Sequence, residues 1–345
     1  MQERVFEHSF LQDSLNLEQV VRRGVFALAN GNKLDVKGRG VVEYVPSTLS
    51  ETSKYIIIST GIHGNETAPI EMVANMVDEI IKGRLSPKHR CLFIIAHPQA
   101  TNAETRFIDE NLNRLFEQGP TSATIEGKIA TTLKQHVSDF FANSAPNQRW
   151  HLDLHCAIRR SEHYTFAVSP HTSHATRSKA LFDFLQESAI EAALLSHSPS
   201  STFSWFSAEY FAAQAVTLEL GQVAKLGSND FRRLEPFRRG LQALLCDKPI
   251  VSGGTDCPTL HIYRVTRTIS RTEQEFSFTF SEDLANFSRF SVGDLLGFDG
   301  ETLLYCQHEG EAVVFPNAKV ALNHRAALMA IETDICFENG QLQIN

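Results

Sequence analysis

Strand-like and helix-like segments alternate from about residue 54 to residue 246, and this order restricts the fold more than any other feature of the chain. Short runs rich in Ile, Leu, Val and Phe predict buried strands, and the segments between them repeat their apolar residues at helical spacing. The predicted strands are 54–60, 90–97, 149–156, 163–168 and 215–221, and the predicted helices are 70–81, 125–140, 175–194 and about 236–246. Strands that alternate with helices favour an α/β fold, a mostly parallel mixed sheet flanked by helices.

The composition changes near residues 246–258. The segment CDKPIVSGGTDCP is rich in Pro, Gly and Ser, which is typical of a linker. Short β-type segments with intervening turn signals follow it, at 261–270, 275–280, 302–306 and 312–315. We therefore expect a catalytic α/β domain over residues 1–249 and a smaller, mainly β domain over residues 250–345.

Composition and charge argue against several classes of protein. The net charge of −8 at pH 7 disfavours a nucleic-acid-binding surface. No apolar run approaches the roughly 18–20 residues needed to cross a bilayer, and the first residues lack the apolar core of a signal peptide. The six cysteines are scattered without a CxxC motif, which predicts reduced thiols. We expect a cytoplasmic protein that binds neither nucleic acid nor membrane, and an oligomer is compatible with the sequence.

Three polar residues lie at the predicted ends of strands, where α/β folds collect their functional groups. His63 and Glu66 follow the first of these strands in the segment GIHGNE, and His155 lies near the end of RWHLDLHC. Two imidazoles and one carboxylate are ligands that zinc uses in catalytic sites. The alternative for HGNE is a glycine-rich turn in which Asn65 caps the next helix, and the spacing alone leaves both interpretations open.

Two carboxylates lie on predicted strands of the same region. Asp153 shares a strand face with His155, so it either orients a ligand histidine or bonds to nearby backbone. Glu219 lies among apolar residues in AVTLELG. A carboxylate on a buried strand costs free energy unless it is paired or functional, which favours a functional role for Glu219.

Four segments in order, GIHGNE, TRFIDENLNRLF, DLHCAIR and TLELG, resemble the succinylglutamate desuccinylase/aspartoacylase branch of the zinc carboxypeptidase family. The similarity extends over essentially the whole chain. It implies a zinc carboxypeptidase-like catalytic domain with one Zn²⁺ per chain. It also implies that His63, Glu66 and His155 are the ligands of that ion.

The resemblance implies two catalytic roles as well. Glu219 matches the glutamate that takes a proton from the attacking water and passes it to the departing amine. Arg106 matches an arginine that helps polarise the scissile carbonyl, where negative charge develops. The alternative for Arg106 is a surface ion pair with Glu104 or Asp109.

Substrate-binding residues follow from the same comparison of motifs. Asn113 and Arg114 match a pair that binds a substrate carboxylate, whereas the alternative for Arg114 is a bridge to Glu110. Where aspartoacylases carry an arginine for the side-chain carboxylate, ten residues before the catalytic glutamate, this chain has Glu209. N-acetylaspartate is therefore a poor candidate substrate, and Arg159 is a candidate for the missing cation.

The resemblance implies zinc-dependent hydrolysis of a small anionic substrate, N-succinyl-L-glutamate, to succinate and L-glutamate. This reaction is the last step of the succinyltransferase pathway of bacterial arginine breakdown. Alternatives are a zinc deacylase of another N-acyl amino acid and a small-peptide carboxypeptidase. A catalytically inactive metal-binding regulatory module is a further alternative, against which the retention of Glu219 argues.

Overall fold

The computed structural model describes residues 4–250 and 259–344. The helices in these residues are α1 (Phe10–Leu15), α2 (Thr67–Ile81), α3 (Pro98–Asn102), α4 (Ile125–Phe141), α5 (Lys179–Glu187), α6 (Phe203–Phe211) and α7 (Glu235–Leu245). The strands before residue 250 are β1 (Gly24–Ala27), β2 (Lys33–Gly38), β3 (Val41–Val45), β4 (Tyr55–Thr60), β5 (Arg90–Ile95), β6 (Arg149–Ala157), β7 (Thr165–Ser169), β8 (Ala192–Leu195) and β9 (Gln214–Gln222). The strands after residue 259 are β10 (His261–Ser270), β11 (Phe276–Phe278), β12 (Ser288–Phe290), β13 (Leu295–Asp299), β14 (Thr302–Tyr305), β15 (Glu311–Val314), β16 (Arg325–Glu332), β17 (Ile335–Glu338) and β18 (Gln341–Ile344).

Most of these strands form one mixed sheet in the order β1-β2-β3-β5-β4-β6-β9-β7-β8-β10-β16-β15-β12. Parallel pairs lie in its middle, where β4 is flanked by β5 and β6, and β6 pairs in turn with β9. Antiparallel pairs extend the sheet on both sides. Parallel neighbours need a crossover, and helices α2 and α4 lie in the connections between the central strands. The predicted α/β fold with a mixed sheet is confirmed.

Alternate residues of the central strands enter two different hydrophobic layers. On β4, Ile56 and Ile58 pack with residues of α2 and α7, whereas Ile57 packs with residues of α4 and α6. A strand covered on both faces is apolar along its whole length, which explains the run of isoleucines. Burying each such side chain contributes roughly 1.5–3 kcal/mol to folding. This alternation also decides which face of the sheet carries the polar residues of β6.

The register of the central strands brings polar residues to one place. His155 on β6 pairs directly with Glu219 on β9. Thr60, the last residue of β4, pairs with Leu154, so the loop after β4 starts beside His155. Paired residues of neighbouring strands project to the same face of a sheet. His155 and Glu219 therefore share the face that α6 covers.

One predicted helix is wrong in part. The segment 175–194 contains helix α5 only to Glu187, and its last residues belong to strand β8. Ala189, with φ of +58°, breaks the helix between the two elements. The residues of β8 are Ala, Ala, Leu and Leu, which form no distinctive pattern, and their pairing with β7 and β10 makes them a strand.

Several strands have no counterpart in the sequence-based prediction. Strands β1 to β3 precede the first predicted strand, and β16 has the sequence RAALMAIE, whose alanines are more typical of a helix. β16 is held as a strand by neighbours on both sides, β10 and β15. Long-range pairing thus overrides the local preference of these residues.

The C-terminal strands continue the main sheet, because β10 pairs in parallel with β8. The predicted linker lies mostly outside the described residues, which omit 251–258. The division of the chain at residue 249 or 250 stays a prediction. Cys91, Cys156, Cys246 and Cys306 form no disulfide within the described residues. None of the helices described is both long enough and apolar enough to span a membrane.

Candidate active site

The loop between β4 and α2 carries two of the predicted metal ligands. His63 and Glu66 are each only 2% exposed. Glu66 immediately precedes α2, where the partial positive charge of a helix N-terminus favours a carboxylate. Gly64 packs against α3, and a β-carbon at this position would lie 2.1 Å from the carbonyl carbon of Ala100. Only glycine fits here, so the HGNE sequence matches the packing of the loop.

His155 supplies the third candidate ligand from the end of β6. One ligand atom from each of His63, Glu66 and His155 lies within 4.8 Å of the other two. Nδ1 of His155 is 2.8 Å from Oε2 of Glu66, and its Nε2 is 3.0 Å from Oδ2 of Asp153. The contact with Asp153 favours the tautomer with hydrogen on Nε2, which leaves Nδ1 to coordinate.

The three residues fit a divalent metal ion. Nδ1 of His63 is buried and has no hydrogen-bond partner within residues 4–250 and 259–344. It lies 2.9 Å from Oε1 of Glu66 without the alignment of a hydrogen bond, as expected of two atoms that face a common cation. Imidazole nitrogens with a carboxylate oxygen are a donor set that suits zinc. In residues 4–250 and 259–344, this is the one group of three such side chains with the spacing of a metal site.

The close packing of these groups shifts their pKa values. Burial opposes ionisation of Glu66, yet His63 and His155 hold its pKa well below the ordinary value. Burial likewise opposes protonation of His155, yet Asp153 and Glu66 raise its pKa well above the ordinary value. A coordinating imidazole nitrogen must carry no proton, so metal binding is expected to release one from His155.

Glu219 lies beside this group with an unused oxygen. Its Oε2 is buried and has no hydrogen-bond partner in the part of the chain that the structure describes. Burial raises the pKa of Glu219 to about 7, and the negative charge of Glu66 contributes to the rise. A carboxyl group with a pKa near neutrality is suited to accept a proton and return it. These properties are those of a general base.

Residues 106–111 provide two more contacts to the candidate ligands. Nη1 of Arg106 donates a hydrogen bond to Oε1 of Glu66 over 2.6 Å. Oδ1 of Asn111 lies 2.9 Å from Nε2 of His63, where it accepts a hydrogen bond if that nitrogen carries the hydrogen. The second contact leaves Nδ1 of His63 as the coordinating atom, as in His155.

The predicted substrate-binding pair lies farther along the same segment. Arg114 donates to the carbonyl oxygen of Asn113 over 2.8 Å and has no carboxylate partner within the described residues, so it does not bridge to Glu110. Desolvation, with smaller contributions from Arg325 and Arg106, lowers the pKa of Arg114 to about 10. An arginine that faces other arginines and no carboxylate is suited to bind an anion.

The other predicted substrate residues make structural contacts. Oδ1 of Asn113 accepts a hydrogen bond from the backbone of Phe203 over 2.9 Å, so the structure commits this oxygen to holding α6. Nη2 of Arg159 donates to the carbonyl oxygen of Pro316 over 2.7 Å, which ties the loop after β6 to the C-terminal segment. Glu209 accepts hydrogen bonds from the backbone and hydroxyl of Ser173, each 3.0 Å long.

Known proteins match this chain in sequence and in fold. A family model described as the succinylglutamate desuccinylase/aspartoacylase catalytic domain matches residues 52–245, and a second, the AstE/AspA barrel-sandwich hybrid domain, matches residues 258–333. The chain belongs to the succinylglutamate desuccinylase/aspartoacylase family. The family predicted from the four sequence motifs is thus confirmed.

Relatives match this member of the family over its full length. A curated protein of Vibrio vulnificus (strain YJ016), named succinylglutamate desuccinylase, is 48% identical over 99% of both chains. Solved structures of succinylglutamate desuccinylases from Vibrio parahaemolyticus and Vibrio cholerae superpose with TM-scores of 0.95 and 0.96 at 48% and 46% identity. Each covers 99% of this chain and 100% of its own. The zinc carboxypeptidase-like fold class is confirmed with the family.

Two of the alternatives that the sequence left open are wrong. Asn65 does not cap α2, because Glu66 occupies the capping position and makes no side-chain capping bond. Arg106 pairs with Glu66, the candidate metal ligand, and with neither Glu104 nor Asp109. Glu66 and Arg106 both belong to the candidate metal centre.

Sequence reasoning missed two polar residues of the site. Asn111 lies beside His63, and Ser59 donates a hydrogen bond to Oδ1 of Asp153 over 2.6 Å. Ser59 also lies 2.8 Å from Nε2 of His151, which extends the polar network below the candidate ligands. A serine within the isoleucine-rich run of β4 was the available signal. Asn111 has no comparable signal, because its neighbours in the sequence are polar too.

Proposed function

We propose that the protein is a zinc-dependent amide hydrolase that cleaves N-succinyl-L-glutamate to succinate and L-glutamate. One observation carries the proposal: His63, Glu66 and His155 converge beside Glu219, whose Oε2 has no hydrogen-bond partner in the described residues. Full-length relatives at 48% identity bear the name succinylglutamate desuccinylase, which supports the choice of substrate. We also propose a cytoplasmic location and a role in arginine breakdown.

Each residue has a task in this reaction. A zinc ion at the three ligands supplies a Lewis acid that lowers the pKa of water and polarises a carbonyl oxygen. Glu219 accepts the proton of the water molecule that attacks the amide carbon, and then delivers it to the departing nitrogen of glutamate. Arg106 directs its guanidinium toward the negative charge that develops on the carbonyl oxygen. Asp153 keeps the ring of His155 in its coordinating orientation.

The substrate has three carboxylates, and the chain as a whole has a net charge of −8, so binding requires local cations. Arg114 is the first of these, and Asn113 adds a neutral donor through its amide group. Arg325 lies close enough to Arg114 to lower its pKa, and it has no carboxylate partner in residues 4–250 or 259–344. Arg159, in the loop after β6, is the third cation that we assign to the substrate.

The alternative functions use the same centre and differ in substrate. N-acetyl amino acids such as N-acetyl-L-aspartate have fewer carboxylates than N-succinyl-L-glutamate, so a deacylase that acts on them needs fewer cations. A small-peptide carboxypeptidase needs room for a peptide chain, and turnover of peptides beside N-succinyl-L-glutamate would reveal it. A catalytically inactive metal-binding module has no use for a carboxylate such as that of Glu219, whose buried Oε2 has no hydrogen-bond partner among the described residues.

The test is the release of L-glutamate from N-succinyl-L-glutamate by purified, zinc-loaded protein, with and without a chelator. N-acetyl-L-aspartate and N-acetyl-L-glutamate are the comparison substrates. We expect chelator-sensitive turnover, with kcat/KM at least tenfold higher for the succinyl compound than for either comparison substrate. Higher kcat/KM for an acetyl compound would support the alternative deacylase. No turnover of any of the three would overturn the proposal.

A further inference from the structure

The side chains of His97 and Glu126 form a pair in which both are completely buried. His97 follows β5 and caps α3, and Glu126 lies in the first turn of α4. Both residues are 0% exposed, and Nε2 of His97 lies 3.0 Å from Oε1 of Glu126. Nδ1 of His97 accepts from the backbone of Ala100 over 3.4 Å, so Nε2 carries the hydrogen and donates to the carboxylate. A buried pair of this kind requires further hydrogen bonds to offset its desolvation.

Those further bonds come from the segment that reaches the candidate metal ligands. The backbone N–H groups of Ile108 and Asp109 donate to Oε1 of Glu126 over 2.7 and 3.2 Å. In return, Oδ2 of Asp109 accepts from the backbone of Ile125 over 3.2 Å. The start of α4 and residues 108–109 therefore hold each other from both sides, although Ile108 and Asp109 are themselves exposed.

The positions on either side of this attachment carry the contacts to the site. Arg106, two residues before Ile108, bonds to Glu66, and its carbonyl oxygen accepts from the backbone of Gly64 over 3.2 Å. Asn111, two residues after Asp109, lies against His63. A displacement of residues 108–109 would move Arg106 and Asn111 together, because only one residue separates each from the attachment point.

We infer that Glu126 is a positioning residue, which holds the backbone of residues 106–111 so that Arg106 and Asn111 reach Glu66 and His63. Glu126 makes no hydrogen bond to the candidate metal ligands within the described residues, and it acts through Arg106 and Asn111. The inference rests on the proposed function for its kinetic consequences. The attachment itself is independent of the identity of the substrate.

The test uses Glu126→Gln, which keeps the shape of the side chain. An amide cannot accept from three donors as a carboxylate does, so the attachment weakens. We expect kcat for N-succinyl-L-glutamate to fall roughly tenfold with little change in KM, since loss of one charge-assisted hydrogen bond corresponds to about that factor. Glu187→Gln is the matched control, because Glu187 is an exposed glutamate at the end of α5, away from residues 106–111, and it should leave kcat within twofold.

A double variant separates positioning from general loss of structure. If Glu126 acts in part through Arg106, then Glu126→Gln should reduce kcat by a smaller factor when Arg106 is already alanine than it does in wild type. An equal loss of kcat in both backgrounds would overturn the inference, as would an unchanged kcat in the single variant. Asp109→Asn weakens the same attachment from the exposed side, so it should also reduce kcat, by a smaller factor than Glu126→Gln does. This variant replaces Glu126→Gln in the test if that variant does not fold.

A measurement without substrate keeps the inference distinct from the proposed function. Amide hydrogen exchange in residues 106–111 should become at least tenfold faster in Glu126→Gln than in wild type, with no such change in Glu187→Gln. Faster exchange in a protein that hydrolyses no N-acyl amino acid would support the attachment and overturn the proposed function. Unchanged exchange in Glu126→Gln, when the wild-type protein hydrolyses N-succinyl-L-glutamate, would overturn the attachment and support the proposed function.

Discussion

The position of Glu219 is set by its backbone. Its strand pairs with β6 at His155, while one of its carboxylate oxygens bonds to nothing in the described residues. A side chain fixed at its base and free at its tip is suited to a group that moves a proton between two partners. The raised pKa of Glu219 arises mainly from burial, and a divalent ion nearby would lower it again. This position fits the role of general base that we propose for Glu219.

Glu219→Gln is expected to reduce kcat for N-succinyl-L-glutamate by at least about 100-fold, because an amide of the same shape cannot accept the proton of water. Zinc content should stay at the wild-type value, since Glu219 is not among the ligands. Steady-state kinetics and metal analysis of the same preparation measure both. Glu162→Gln removes an exposed carboxylate from the loop after β6 and should leave kcat unchanged. A kcat within threefold of wild type for Glu219→Gln would contradict the assignment.

The loop from β4 to α2 depends on its contact with α3. Gly64 presses against the backbone of α3, and the same loop carries His63 and Glu66 in buried positions. The contact is between backbones, which cannot move aside as a flexible side chain can. The spacing of the two ligands is therefore controlled by a residue without a side chain.

Gly64→Ala is expected to displace the loop, because its new β-carbon would lie 2.1 Å from a backbone atom. We predict a loss of about 1–3 kcal/mol in the free energy of unfolding and at least a tenfold weaker affinity for zinc. Gly38→Ala on β2 is the control, since its β-carbon would meet nothing closer than 3.8 Å. Denaturant unfolding and zinc titration of the two variants measure the difference. Equal zinc affinity in both variants would show that the loop tolerates the added carbon.

The sequence allowed prediction of the elements whose patterns are local. The isoleucine run of β4 and the alternation in β6 are visible without a structure, and His63, Glu66 and His155 were found at the ends of these strands. The contact of Arg106 with Glu66 joins residues 40 positions apart, and that of Asn111 with His63 joins residues 48 positions apart. No local pattern encodes such partners, because they depend on how the loops pack.

The assignment of β8 and β16 failed for a related physical reason. Their alanines and leucines suit a helix or a strand, and the neighbouring strands of the completed sheet decide between the two. The same completed sheet joins the C-terminal strands to the rest through β10 and β8. Composition indicated a separate small β domain there, but it contained no information on this pairing.

Several histidines across the molecule are buried in the neutral form. Burial lowers the pKa of His89, His151 and His163 to about 4 in each case. In the unfolded chain their pKa values return to the ordinary 6.5, so the unfolded state binds more protons between these values. The stability that these residues contribute is complete above pH 6.5, and it is lost progressively as the pH falls from 6.5 toward 4.

His89→Gln tests this linkage away from the candidate active site. His89 is 2% exposed, and its Nδ1 accepts a hydrogen bond from the backbone of Lys54, as a glutamine oxygen also could. Between pH 7 and pH 5, wild type should lose about 2 kcal/mol more unfolding free energy than the variant. Denaturant unfolding of both proteins at both pH values measures this change in unfolding free energy. The difference between the two proteins at pH 7 measures the effect of the altered contacts. Equal pH dependence of the two proteins would rule out a neutral buried His89.

Diffraction data collected at the zinc absorption edge, from crystals grown with zinc, test most directly whether three side chains hold one divalent ion. We predict a single anomalous peak about 2.0–2.2 Å from Nδ1 of His63, a carboxylate oxygen of Glu66 and Nδ1 of His155. A peak at any other place would contradict the account. The absence of a peak, with these three side chains in contact with one another, would contradict it as well.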